Sequence, residues 1–147
     1  MNDSSTLASA ADAAQAFFKA YDAHDIDRML SLCTPAAQLR HVPMGPFETG
    51  NIHTVGRKAW SDMFSALRDL RVVVKSAVTD QYHFAAEVVI ADRVRGFELP
   101  QAYFLTVDDS YRITDVTVYW DNVTLGIQGT KAGAAWLVEA ISGLGKR

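Results

Sequence analysis

Residues 71–92 read RVVVKSAVTDQYHFAAEVVIAD, and two separate runs in this stretch place apolar residues at alternate positions. The first run alternates around Val72, Val74, Ser76 and Val78, and the second around Tyr82, Phe84, Ala86, Val88 and Ile90. A period of two is typical of strands that bury one face. Because Asp80 and Gln81 form a turn signal between the two runs, the stretch predicts an antiparallel hairpin.

Two more strands are predicted after this hairpin. They correspond to FELPQAYFLTV (residues 97–107) and YRITDVTVYW (residues 111–120), which Asp108-Asp109-Ser110 separates. Gly96 marks the turn that precedes the first of them. The spacing of strands and turns therefore predicts a meander of four long antiparallel strands.

The sequence before residue 70 has helical periodicity instead. Apolar residues recur three and four positions apart in a first amphipathic segment, at Ala10, Ala13, Ala14, Phe17, Phe18 and Tyr21. Asp25 is expected to cap a second helix that extends to Cys33 and ends before Pro35. Thr54 is expected to cap a third, whose apolar stripe contains Trp60, Phe64, Leu67 and Leu70.

Three shorter segments complete the expected order of elements. Residues 37–42 predict a short strand, and residues 43–51, with two prolines and two glycines, predict a loop. A last helix is expected over residues 131–144, where Trp136, Leu137, Ala140, Ile141 and Leu144 have helical spacing. Helices followed by an antiparallel meander predict an α+β domain, which we expect to span residues 1–147 as a single unit.

Composition narrows the classes of function. The chain has 147 residues, a net charge of -3 and no basic block, so neither nucleic acid nor a membrane surface is an expected partner. Cys33 is the only cysteine, which excludes an internal disulfide and a zinc site built on paired cysteines. His24, His53 and His83 do not have metal-ligand spacing, so we predict neither a metal nor a cofactor. The N-terminus lacks the pattern of a signal peptide, and a cytoplasmic location is expected.

Two stretches resemble a known fold family. FFKAYDAHDIDRML (residues 17–30) and YRITDVTVYWD (residues 111–121), in this order of elements, resemble the nuclear transport factor 2-like superfamily. Within it, the chain looks closest to the SnoaL-like polyketide cyclases and the ketosteroid isomerase-like proteins. The resemblance implies a cone-shaped α+β barrel, in which a curved antiparallel sheet wraps around the N-terminal helices and leaves an interior pocket. It also implies a homodimer formed through the outer faces of the sheets.

The resemblance assigns roles to individual positions. The general base of the ketosteroid isomerases falls on His41, and their two oxyanion-hole positions fall on Phe17 and Tyr103. The acid/base aspartate of the SnoaL-like cyclases corresponds to Asp121. A second comparison, with scytalone dehydratase, matches Tyr21 and Asp22 and again places a working side chain at the position of His41.

Each candidate catalytic residue has its own chemistry and a simpler alternative. His41 has an ordinary pKa near 6.5 and could accept and return a proton, or it could be a strand-end residue bonded to a carbonyl. Tyr103 could donate its hydroxyl to a carbonyl oxygen, or pack in the core with its tip in water. Asp92 shares the inward parity of Phe84 and Ile90 but could lie in a bulge or pair with an arginine. Asp121 could cap the segment that follows the last strand.

Aromatic residues are the expected wall of the pocket. The substrate-binding candidates are Phe17, Tyr21, Trp60, Phe64, Phe84 and Trp120. An aromatic wall suits a flat hydrophobic ligand, although the same residues would fit any well-packed core.

These features favour a small-molecule lyase or isomerase, polyketide cyclase-like or ketosteroid isomerase-like. It would perform cofactor-independent acid/base chemistry beside a carbonyl of a hydrophobic ring substrate. Two alternatives stay open at this point. The domain could be a non-catalytic binding protein of the same fold, or a scytalone dehydratase-like dehydratase.

Overall fold

The computed structural model describes residues 6–42, 49–121 and 124. Six strands are present in this part of the chain: β1 (Cys33–Val42), β2 (Gly50–Asn51), β3 (Arg71–Thr79), β4 (His83–Asp92), β5 (Phe97–Val107) and β6 (Ile113–Tyr119). They form one curved sheet in the order β2-β1-β6-β5-β4-β3. The meander of β3 to β6 is antiparallel, as predicted, whereas β1 runs parallel to β6. The result is a mixed sheet in an α+β fold.

Three α-helices precede β3: α1 (Ala10–Asp22), α2 (Ile26–Ser31) and α3 (Arg57–Ala66). Ser9 caps α1 by accepting a hydrogen bond from the Asp12 amide at 3.0 Å. Asp25 caps α2 by accepting one from the Arg28 amide at 2.9 Å. The amphipathic first helix and the Asp25 cap are therefore confirmed.

Two predicted helix boundaries are wrong. Cys33 begins β1 instead of ending α2, because the chain joins the sheet at Leu32, whose carbonyl accepts the Ile113 amide at 2.9 Å. Pro35 is tolerated in β1 because it lies where the pairing with β6 is irregular, so its missing N–H breaks no ladder bond. Thr54 does not cap α3 but lies inside a π-helical turn, Ile52–Gly56, that leads into it.

The first of the two alternating runs also differs from its prediction. The register of β3 and β4 shifts between Val74 and Ser76, so the residues after the shift exchange faces. Val78 consequently pairs with Ala85 and is 72% exposed. In the second run Tyr82 precedes β4 and is exposed, whereas the alternation from Phe84 to Ile90 is confirmed.

Helix α1 lies against the inner face of the sheet and supplies much of the core. Phe18 contacts both Phe84 of β4 and Tyr103 of β5, with ring centroids 6.1 and 5.2 Å apart. Asp22 ties the end of the helix to β3, since its carboxylate accepts two hydrogen bonds from the Arg71 guanidinium and one from the Val72 amide. These contacts fix the height of α1 above the sheet.

Two statements about helices remain, one on the predicted last helix and one on membrane spans. The helix predicted over residues 131–144 lies outside the described residues. None of the helices in the described part of the chain is long and apolar enough to cross a membrane.

Candidate functional site

A row of three buried residues crosses the inner face of β1, β6 and β5. His41 pairs with Val118, and Val118 pairs with Tyr103. The three residues are 7%, 2% and 2% exposed. Because paired residues of neighbouring strands share a face and strands lie about 4.8 Å apart, the Cα atoms of His41 and Tyr103 are about 10 Å apart. The sheet therefore presents the two candidate residues on one face, separated by a single valine.

An apolar wall covers His41. Its ring lies against Trp120, with centroids 4.9 Å apart, and the Trp120 amide donates to the Val42 carbonyl at 3.1 Å. The backbone N–H of His41 donates to Thr49 Oγ1 at 3.4 Å. The imidazole is buried on the same face of the sheet as Val118 and against the Trp120 ring.

Tyr103 interacts with a second buried phenol, Tyr21 of α1. Burial raises the pKa of Tyr21 to about 12, although hydrogen bonds from Tyr103 and Trp60 lower it in part. Burial, followed by the neighbouring Tyr21, raises the pKa of Tyr103 well above its usual value. The Tyr21 hydroxyl itself donates to Met63 Sδ at 3.9 Å, and a thioether is a weak acceptor. Both phenols are neutral at pH 7, so the pair can supply a hydrogen-bond donor.

The predicted wall residues form a connected aromatic cluster beside this pair. Phe17 contacts Trp60 at 5.9 Å between ring centroids, and Tyr21 contacts Phe64 at 5.8 Å. Phe84 reaches Tyr103 through Phe18, whereas Trp120 lies at the other end of the row, beside His41. The cluster joins α1, α3 and β5 and fills the space next to the tyrosines.

Asp92 lies apart from His41 and Tyr103. It is six positions along β4 from Ala86, the residue that pairs with Tyr103, which corresponds to about 20 Å along a strand. Its carboxylate is completely buried and accepts hydrogen bonds from the Asp69 amide at 3.3 Å and the Arg95 amide at 3.0 Å. The carboxylate therefore links the turn at residues 68–69 to the turn at residues 93–96.

Asp121 directly follows Trp120 and is exposed. Its Oδ2 accepts hydrogen bonds from the amide of Thr124 at 3.0 Å and from its hydroxyl at 2.5 Å. This is the geometry of an N-terminal helix cap. The structure thus brings Asp121 near the wall at Trp120, with its carboxylate engaged by Thr124.

The sequence analysis missed Gln101, two residues before Tyr103. Gln101 pairs with the buried Val88 and follows the inward parity of Leu99 and Tyr103. Within the described residues, its Oε1 atom is buried and has no hydrogen-bond partner. In FELPQAYFLTV the glutamine occupies one of the alternate positions that otherwise hold buried side chains. This pattern alone could have identified Gln101 as an inward polar residue.

A surface groove of about 370 Å³ lies beside the ends of β1, β5 and β6. Four of its lining residues, Val42, Pro100, Ala102 and Tyr119, have the outward parity of their strands. The groove also reaches Gln101, and it extends to Trp120 and Asp121 at the strand end. In the described part of the chain, no group of three or more His, Cys, Asp or Glu side chains could hold a metal ion.

A mixed curved sheet with helices on its inner face also occurs in known proteins. A sequence model described as a SnoaL-like domain matches residues 14–116, which include most of α1, His41 and Tyr103. The chain belongs to the SnoaL-like domain family. This family falls in the nuclear transport factor 2-like superfamily that the sequence resembles. No curated protein has a sequence that matches this SnoaL-like chain significantly.

Solved structures share the fold of this SnoaL-like domain. PrhC from Penicillium brasilianum is 14% identical, with a TM-score of 0.72 over 91% of this chain and 94% of that one. A loop-truncated variant of IdmH is 19% identical, with a TM-score of 0.69 over 81% and 98%. SalBIII, an epoxide hydrolase/cyclase-like enzyme in pyran ring formation in the polyether salinomycin, is 13% identical, with a TM-score of 0.64 over 76% and 90%. The TM-scores show a common fold, and at identities of 13% to 19% the comparison shows the fold alone.

Proposed function

We propose that the protein binds a small, mostly apolar ring compound and moves a proton next to one of its carbonyl groups. The observation that carries this proposal is the row His41, Val118, Tyr103 on the inner face of the sheet. The row suits a ring compound whose acidic carbon faces the base, His41, and whose carbonyl oxygen faces the phenol, Tyr103. The surrounding side chains are apolar, which suits a hydrophobic ring.

The proposed reaction needs no cofactor, since a single base can remove and return the proton. His41 takes the proton from the carbon beside the carbonyl, and the C–H electron pair becomes the carbon–carbon π bond of an enolate. The carbonyl π electrons move to the oxygen, which accepts a hydrogen bond from the Tyr103–Tyr21 pair. In an isomerisation the substrate also has a carbon–carbon double bond next to the deprotonated carbon, so the enolate is a dienolate and His41 returns the proton to its far carbon. In a cyclisation, the enolate carbon attacks a second carbonyl and the proton goes to the resulting alkoxide.

The electrostatics of the tyrosine pair support this role. Because burial keeps both phenols neutral, each retains its proton for donation across the neutral pH range. The Tyr21 hydroxyl donates to Met63 Sδ, and this weak hydrogen bond is broken at little cost when an enolate oxygen is available as the acceptor. A hydrogen bond to a charged oxygen inside an apolar site is worth more than one in water.

Two observations favour a second candidate, a binding protein without catalysis. Phe17, at a position where the ketosteroid isomerases have a donor, is completely buried, and the Tyr103 hydroxyl is turned towards Tyr21. Both features suit a site that holds an apolar ligand by shape alone. The two candidates differ in whether the ligand leaves the protein unchanged.

A proton-exchange experiment separates the two candidates. The protein is incubated with 2-tetralone in D₂O, and the loss of the proton signals at C1 is followed by NMR. An enzyme of the proposed class accelerates the exchange above the rate given by heat-unfolded protein at the same concentration. Saturable binding of 2-tetralone with no acceleration would instead support the binding protein.

We also propose that a second copy of the chain covers the outer face of the sheet. Phe104 and Tyr119 form an edge-to-face pair there, 5.4 Å between centroids, and are 49% and 43% exposed. Two such large apolar side chains on an open face are typical of an interface. Light scattering should give the mass of a dimer for the wild type and of a monomer for Phe104→Lys. A monomeric wild type at micromolar concentration would contradict this proposal.

A further inference from the structure

Gln101 differs from the other inward residues of β5 because it places an amide among apolar side chains. Its neighbours of the same parity, Leu99 and Tyr103, are buried, and so is Val88 across the strand pair. Among the described residues, Gln101 Oε1 is the one buried side-chain N or O atom without a hydrogen-bond partner. The atom is therefore shielded from water and receives no hydrogen bond from the described residues.

Such an atom is unfavourable in the free protein. A buried acceptor that has lost its water and gained no donor destabilises the fold, which is why such groups are rare. A ligand that brings a hydroxyl or N–H group to this position would supply the missing donor. The same ligand would bind more tightly than an analogue without the donor, because the analogue leaves the amide oxygen unpaired.

We propose that Gln101 is a specificity-determining residue that accepts a hydrogen bond from a hydroxyl or N–H group of the ligand. The inference rests on the proposed function, since it places the ligand against the same face of the sheet as His41 and Tyr103. It adds a substrate class: the ring compound carries a hydrogen-bond donor as well as a carbonyl oxygen.

The positions of Gln101 and Tyr103 define how far apart these two groups lie. Two residues apart on the same face of β5, their Cα atoms are separated by about 6.7 Å. Tyr103 belongs to the pair that can donate a hydrogen bond, whereas Gln101 Oε1 is an acceptor with no donor among the described residues. The matching ligand has its carbonyl oxygen and its donor at different positions of a ring system, as a hydroxylated bicyclic ketone does.

Three ketones test this assignment. Isothermal titration calorimetry measures the Kd of 2-tetralone, 6-hydroxy-2-tetralone and 6-methoxy-2-tetralone, of which only the hydroxylated compound carries a donor. The variants are Gln101→Met, which keeps the length and loses the oxygen, and Gln101→Glu, which keeps an acceptor. Gln38→Leu, on β1, serves as the control for replacing a glutamine whose amide already donates to a carbonyl.

The wild type should bind the hydroxylated ketone about tenfold more tightly than the other two, as expected for one hydrogen bond to a buried acceptor. Gln101→Met should lose this preference without a lower Tm, whereas Gln101→Glu and Gln38→Leu should keep it. Equal binding of all three ketones by the wild type would overturn the role of Gln101 alone. A preference for the methoxy compound, or a lower Tm of Gln101→Met, would overturn it as well. Failure to bind any of the three would contradict the proposed function itself.

Discussion

His41 and Tyr103 face the same interior although they are 62 positions apart in the chain, because both pair with Val118 of β6. The relationship depends on the parallel pairing of β1 with β6, which places the end of β1 level with the middle of β5 and one strand away from it. An imidazole and a phenol thus share one apolar face with one valine between them. The proposed chemistry depends on this arrangement.

The two buried tyrosines should make the fold sensitive to alkaline pH. Their pKa values are raised above the ordinary value near 10, to about 12 for Tyr21, so folding favours the neutral phenol. The stabilisation is complete below about pH 10 and is lost as the pH rises towards the folded-state pKa, by about 1.4 kcal/mol per tyrosine and pH unit. Urea unfolding between pH 8 and pH 11 measures this slope.

A variant without Cys33 is needed to assign the alkaline loss of stability to the tyrosines. Burial also raises the pKa of the Cys33 thiol to about 12, so the series is best made in Cys33→Ala. Tyr21→Phe in that background should show a clearly smaller alkaline slope, and so should Tyr103→Phe. An unchanged slope in both variants would mean that these phenols are accessible to water.

Asp92 should act in stability and not in catalysis. Its buried carboxylate accepts hydrogen bonds from the backbone of Asp69 and Arg95. Asp92→Ala should therefore destabilise the protein by about 2 kcal/mol, because two partly buried amides lose their acceptor. Chemical denaturation measures the loss, and the exchange rate of 2-tetralone below the unfolding transition should stay at the wild-type level. A folded variant with a strongly reduced exchange rate would restore Asp92 as an acid/base candidate.

Asp22 should stabilise the fold in a pH-dependent manner. The hydrogen bonds from Arg71 lower its pKa, so its contribution is present above the ordinary carboxyl pKa and is lost as the pH falls below about 4. Asp22→Asn should be less stable at pH 7, by about 1 kcal/mol for the charged acceptor of the Val72 amide. The difference from the wild type should shrink at pH 3. A constant difference at both pH values would show that the charge has no role.

Local patterns predicted most of the elements but not how they meet. The alternation from Phe84 to Ile90 and the stripe of α1 depend on neighbouring residues and were predictable. The shift between Val74 and Ser76 was not, because one extra residue reverses a face without altering the composition of the strand.

The candidate site was predictable only in part, because local patterns do not determine which distant strands pair. His41 and Tyr103 could be named from the resemblance, whereas their common row depends on pairing between distant strands. The role of Tyr21 as partner of Tyr103 depends on how α1 packs on the sheet, which no local pattern contains. Gln101 was detectable from parity, but only the structure reveals that its oxygen lacks a partner among the described residues.

The rate of C1 proton exchange in 2-tetralone, measured for the wild type and for His41→Ala, tests the central claim most directly. Tyr103→Phe serves as the comparison, and far-ultraviolet circular dichroism and Tm establish that each variant is folded. Loss of the general base should lower the rate at least about a hundredfold, whereas Tyr103→Phe should bind 2-tetralone and exchange it more slowly. A folded His41→Ala variant that exchanges the proton as fast as the wild type would contradict the account.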